Sequence, residues 1–214
     1  MTRGEVTTRM MSGEAKVDSR RMRTGYLGET DWPKLTMAAG RLVESPLYII
    51  DQPAVSRLSQ IEECSRDMKK LAGIKLIIID YLQLMRPETR RETRDQEISE
   101  ITRSLKALAM ELGVPVILLS QLNRKVGDRP NRRPRLDDLR DSGAIEEDAD
   151  FILFIYRDEY YNTSDDNPEK GTAEFIIGKH RSGPTGMIKL AFLDKFTCFI
   201  NIARPQSSIE TLKR

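Results

Sequence analysis

Three short apolar runs, separated by stretches of helical spacing, constrain this chain more than any other feature: "LIIID" (76–80), "VPVILLSQ" (114–121) and "DFILFIY" (150–156). Near-continuous aliphatic runs, as opposed to alternating ones, belong to strands of a parallel sheet buried on both faces. The stretches between them fit that reading. Ile98, Ile101, Leu105, Leu108 and Leu112 mark one face of a helix ending at Gly113, a C-cap signal, and Ile61, Cys64, Met68 and Leu71 recur at the same spacing before the first run. "GAIEEDA" supplies a short helical segment before the third. The pattern predicts an α/β fold, a mostly parallel sheet flanked by helices.

The flanking segments extend this plan. Up to about residue 42 the chain is polar and helical, with "DWPKLTMAAGRL" offering Asp31 as N-cap and Pro33 in the first turn, and Trp32 is expected partly buried in the core. "LYIID" (47–51) follows Ser-Pro and reads as a short strand. Beyond the turn-rich "YYNTSDDNPEKG" the pattern changes to three consecutive strands, "TAEFIIGKHR", "GMIKLAFL" and "FTCFINI", joined by "SGPTG" and "DKF". These predict antiparallel hairpins at one edge. With 214 residues, 39% of them hydrophobic, one domain is expected, with a loose tail over 205–214.

Composition removes several function classes. Cys64 and Cys198 lie far apart and outside any CxxC pattern, which argues against a disulfide framework or a Cys-rich zinc site and fits a reducing compartment. The single histidine, His180, excludes a multi-histidine metal centre. No apolar stretch approaches the roughly 20 residues of a membrane helix, and "MTRGEVTTRMMSGEAK" has no signal-peptide core, so a cytoplasmic location is expected. Net charge is only +2, yet residues 124–140 hold seven basic residues against three acids and residues 86–94 hold four against two. Both read as exposed loops able to meet phosphate, although simple solvation is the commoner meaning of such runs.

In open α/β sheets ligands bind outside the carboxyl ends of the strands, where this sequence places Asp80 and Gln121. A hydrophobic strand ending in aspartate is the Walker B arrangement, whose carboxylate holds Mg²⁺ beside a nucleotide. An amide at the end of the next strand can detect a γ-phosphate. Each residue also has a plainer reading, the capping of a neighbouring loop. "GKHRSGPTG" (178–186) puts Lys179 and Arg181 two apart on a strand, hence on one face, where they can reach a phosphate or form an ordinary charged edge. No GxxxxGK[ST] occurs in the 214 residues, so the loop whose backbone N–H groups cradle phosphates is not among them.

"LIIIDYLQLM", "EISEITRSLKALAMELGVPVILLSQLNRKV", "RPRLDDLRDSGAIEEDAD" and "GKHRSGPTGMIKLAFL" closely resemble successive motifs of the bacterial replicative DNA helicase, DnaB type, in its RecA-like motor domain. With "AKVDSRRMRTGYLGETDWPKLTMAAGRL", the resemblance covers nearly the whole chain, to about residue 204. It implies a partial RecA-like P-loop NTPase core over 1–204, with ATP and Mg²⁺ as cofactors. It also implies a homo-hexameric ring that encircles single-stranded DNA and moves 5′ to 3′, with primase and a helicase loader as partners. By motif, Asp80 corresponds to the Walker B metal ligand and Gln121 to the γ-phosphate sensor. Arg181 and Lys179 correspond to the finger and its partner acting on a neighbouring subunit's nucleotide, and Arg140, Asp141 and Gly143 to the central-channel loop that grips DNA. In that family the collar domain, the first strand with its phosphate loop, and a "SLEM"-like segment bearing the catalytic glutamate precede the part matched here, and Met1 aligns with the methionine of that segment. The expectation is therefore a chain without ATPase activity on its own. Two other readings share the fold: a non-enzymatic RecA-like module that binds nucleic acid or protein, and a recombinase-like or clock-type RecA ATPase, which "DYLQLM" and "LRDSGAIEEDAD" do not favour.

Overall fold

A computed structural model describes residues 1–52 and 55–202, with the backbone alone for 140–142. The expected tail over 205–214 lies outside the described residues. Three helices open the chain: α1 (Arg3–Ala15), α2 (Ser19–Thr24) and α3 (Asp31–Glu44). Thr2 caps α1, its side chain accepting from Glu5 N–H while Glu5 reaches back to Thr2 N–H. Ala15, Val17, Leu35 and Ala38 close a small core of their own, with Met11 packed against it. Asp31 is the first residue of α3 and not its cap. Its carboxylate instead accepts from Gly28 N–H (2.9 Å) and pairs with Arg21 (2.8 Å), which fixes the turn before the helix. Trp32, expected in the core, is 59% exposed, because the buried stripe of α3 runs through Leu35 and Ala38 and Trp32 points away from it.

Next come α4 (Leu58–Ala72), strand β1 (Ile77–Ile79), α5 (Arg94–Leu112) and β2 (Val116–Leu118). The two strands pair in parallel, Ile77 opposite Val116 and Ile79 opposite Leu118. Ile98, Ile101, Leu105 and Leu108 of α5 are all buried, packing with Leu58, Leu82 and Met85 against Ile79 and Leu118. Each such side chain contributes about 1.5–3 kcal/mol by leaving water. Gly113 ends α5 at φ 59°, as the sequence predicted. Of the α4 stripe, Ile61 joins this core, whereas Leu71 at the helix end is 84% exposed. "LYIID" forms no strand: a strand needs a ladder partner, and Leu47, Tyr48 and Ile50 stay exposed without one.

The third apolar run, β3 (Phe151–Tyr156), follows a short helix α6 (Gly143–Asp148), but it joins an antiparallel sheet. It pairs with β4 (Thr172–His180), which pairs with β5 (Gly186–Leu193), and that with β6 (Cys198–Asn201). Among the described residues, parallel strand pairing is therefore limited to β1 and β2, with one further parallel bridge between Arg57 and Arg86, less than expected, while the C-terminal hairpins stand where the sequence put them. Nor, among the described residues, are the strands covered on both faces. α5 and its neighbours cover one side, whereas Ile78, Ile117, Leu153 and Ile155 are 59%, 50%, 41% and 52% exposed on the other.

Candidate nucleotide and DNA site

Asp80 and Gln121 both lie just past the carboxyl ends of β1 and β2, which run in the same direction with Ile79 opposite Leu118. Leu119 N–H donates to Ile79 O (3.0 Å) and Leu82 N–H to Leu119 O (2.9 Å), which carries the pairing past the strand ends. Gln83, a residue the sequence did not single out, ties the segment after β1 to the end of the β2 run. Its side-chain amide donates to Ser120 Oγ (3.1 Å) and Gln121 O (3.3 Å), while its Oε1 accepts from Gln121 N–H (3.1 Å). Backbone and amide together leave the side chains of Asp80 and Gln121 exposed at the carboxyl edge. The sequence posed Asp80 as a carboxylate at the end of a buried strand; the open face of β1 removes that desolvation cost. A single exposed carboxylate fits Mg²⁺, which keeps waters and takes phosphate oxygens as its other ligands.

Lys179 and Arg181 stand just beyond a bulge. Opposite β3, Ile177 pairs with Leu153 and Lys179 with Ile152, so Gly178 has no counterpart. Because side chains alternate along a strand, one extra residue shifts everything after it to the other face. Lys179 and Arg181 thereby project on the side where Ile152 is buried against Ile145 of α6. Both then reach the end of that helix. Lys179 Nζ donates to Glu146 O and to Glu147 O (3.4 Å), and Arg181 Nη2 to Glu147 O (3.3 Å). The one-face expectation for this pair holds. Glycine is required at the bulge, since a Cβ there would sit 2.5 Å from Phe154 Cε2. A glycine inside an apolar strand is a signal for such a bulge.

Helix α6 also begins at the third group of candidates. Leu136–Ser142 forms a 3-10 segment that continues into α6 at Gly143, which is exposed. The side chains of Arg140 and Asp141 lie outside the described residues. The segment is held from behind by Asp138, whose carboxylate accepts from Arg129 Nη2 (2.7 Å) and Arg135 N–H (2.7 Å), while its carbonyl accepts from Asn123 N–H (3.1 Å).

The basic loop of 124–140 is thus not wholly available to phosphate. Arg129 is committed to Asp138, and Arg133 forks onto Glu174 (2.7 and 2.6 Å) beneath the ring of Tyr156. Arg132 stacks over Tyr161. Arg124, Lys125 and Arg135 remain exposed. Burial, reinforced by the hydrogen bond to Asp158, pushes the Tyr156 phenol up to about 12, so it stays a neutral platform for Arg133 at any ordinary pH. Replacing Arg133 by methionine strands the buried Glu174 carboxylate and is expected to cost about 1–3 kcal/mol. A thermal midpoint equal to the parent's would count against that anchor. In the other basic run, Arg91 pairs with Glu100 and Arg94 with Glu97, and Arg90, Arg91 and Arg103 line an open groove beside α5.

A parallel strand pair with a carboxylate and an amide at its carboxyl edge, helices packed behind it, and an antiparallel extension bearing a Lys/Arg pair define a RecA-like α/β domain. The DnaB-like helicase C terminal domain model matches residues 1–201, and the chain belongs to that family. It is 47% identical over 205 residues to the replicative DNA helicase DnaB of Geobacillus stearothermophilus and 46% identical over 201 residues to the replicative DNA helicase DnaC of Bacillus subtilis. These matches take in 95% and 94% of the chain but 44% of each relative, so the chain spans less than half the length of the proteins it resembles. Among solved structures, the ATPase domain of G40P superposes with a TM-score of 0.87 at 38% identity, covering 95% of this chain and 72% of that one. A DnaB-like replicative helicase studied for its interactions with primase gives the same score and identity, with 49% of that chain covered. No helix among the described residues is long and apolar enough to cross a membrane.

Proposed function

We propose that this chain supplies the motor portion of an ATP-dependent replicative DNA helicase, working in the cytoplasm as a homo-hexameric ring that moves 5′ to 3′ on single-stranded DNA. The observation that carries the reading is the placement of Asp80 and Gln121 just past the carboxyl ends of two paired parallel strands, with Gln83 tying the two strand-end segments together, in a member of the DnaB-like helicase family. Asp80 holds Mg²⁺ against the phosphates of ATP, and Gln121 answers to the γ-phosphate. Lys179 and Arg181 act on the nucleotide of the adjoining subunit. Arg140, Asp141 and Gly143 grip the DNA backbone, which carries no sequence information and so suits a motor that accepts every sequence. Primase and a loader are the partners that this role entails; a structural relative is described in its interactions with primase.

Phosphoryl transfer is mainly positioning and charge neutralisation, and the 214 residues contain no GxxxxGK[ST] loop to position the phosphates. The chain alone is therefore expected to show no ATP turnover above background. The test compares it with a chimera that carries it in place of the matching part of the Geobacillus stearothermophilus relative, using a fluorescent ATP analogue with Mg²⁺. Binding by the chimera alone, weakened in Asp80→Ala, supports the reading. Binding by the short chain that ignores Asp80→Ala would overturn the metal assignment. A chimera that binds DNA but never nucleotide would favour a non-enzymatic RecA-like module.

A further inference from the structure

Arg181 and Lys179 are already engaged within their own chain, and one carboxylate is central to that engagement. Asp150, between the end of α6 and the start of β3, pairs with Arg181 Nη1 (3.2 Å), while Lys106 of α5 hydrogen-bonds its other oxygen. Its carbonyl accepts from Arg181 N–H (2.8 Å). Alongside, Glu146 and Glu147 present helix-end carbonyls to Lys179 and Arg181, groups that the helix leaves without internal partners. The hydrogen bond from Lys106, with the nearby Arg181 and Lys179 charges, holds the Asp150 carboxyl below the usual carboxylate range. Asp150 and Arg181 are both more than half exposed, so their pair is a weak one that a better anion can displace.

We propose that Asp150 is a positioning residue that holds Arg181 in reserve at the end of α6 and competes with phosphate for it. The proposal rests on reading Arg181 as a phosphate-directed cation. It gives the guanidinium two discrete partners, its own carboxylate or a phosphate, with α6 linking that choice to the segment that contains Arg140, Asp141 and Gly143.

The test uses the 214-residue chain titrated with inorganic tripolyphosphate, with affinity measured by isothermal titration calorimetry in every variant and, in ¹⁵N-arginine-labelled protein, the response of Arg181 followed by its Nε–Hε signal, which is assigned by its loss in Arg181→Ala. Asp150→Asn is expected to tighten binding about two- to fivefold, the range of an exposed ion pair. That gain should vanish when Arg181→Ala is already present. Equal affinity of parent and Asp150→Asn, with Arg181 responding in both, overturns the proposal while leaving Arg181 a phosphate ligand. A gain that persists without Arg181 is long-range charge and overturns it too. An Arg181 signal that moves in neither protein refutes the phosphate-directed reading itself.

Discussion

In the chimera that carries this chain in place of the matching part of the Geobacillus stearothermophilus relative, Arg181→Ala is expected to lower DNA-stimulated ATP turnover by ~10³ or more, the scale of a cation supplied in trans to a transferring phosphoryl group. The reasoning is geometric. Arg181 leaves β4 on the same face as Lys179, just beyond a one-residue bulge, and its local partners are an exposed carboxylate and a carbonyl. Nothing in that arrangement needs arginine for stability, so the thermal midpoint should move little while turnover collapses. Arg181→Lys should restore only part of the rate, because an ammonium lacks the planar fork that meets two phosphate oxygens. Turnover within a few-fold of the parent in Arg181→Ala would sink the assignment.

Changes at Gly178 are expected to act on stability and to leave the direction of the cations alone. Ile177 stands opposite Leu153 and Lys179 opposite Ile152, so deleting the residue between them restores one-to-one pairing with both partners kept, and Lys179 and Arg181 stay on the Ile152 face. Gly178→Ala keeps the bulge, but its Cβ collides with the Phe154 ring, costing about 1–3 kcal/mol of stability with the cations still on the same side. Calorimetry and turnover measured on both variants in the chimera separate the effects: turnover far above that of Arg181→Ala is expected in both, with a lowered thermal midpoint in Gly178→Ala. Turnover as low as that of Arg181→Ala in the deletion variant would show that the direction of the pair depends on the bulge itself.

What the sequence disclosed, and what it withheld, follows from the range of the interactions. The α5 face from Ile98 to Leu108 and its stop at Gly113 were legible because helix periodicity and a left-handed cap are local properties. The placement of Asp80 and Gln121 just past the ends of two parallel strands was legible because each closes an apolar run and parallel neighbours end on one edge. "LYIID" misled because strand propensity is realised only with a partner backbone, which the local sequence cannot supply. Arg129 and Arg133 read as free charges because Glu174, which neutralises Arg133, is 41 positions away and part of another strand. The side of β4 on which Lys179 stands depended on register with β3, a long-range property, although Gly178 marked the place. Gln83 was hidden inside "DYLQLM" because a polar residue between two leucines gives no sign of which loop it will bridge.

Gln83 has a consequence for how such a site would move. Its amide donates to one loop and accepts from it, so Ser120 and Gln121 cannot drift from the Asp80 turn without breaking three hydrogen bonds together. The two strand ends therefore behave as the points of a locked caliper. On the proposed assignment of Asp80 and Gln121, loss of a phosphate between them would not close one point on the other; it would tilt the whole edge, with β1, β2 and the helix packed behind them turning as one piece.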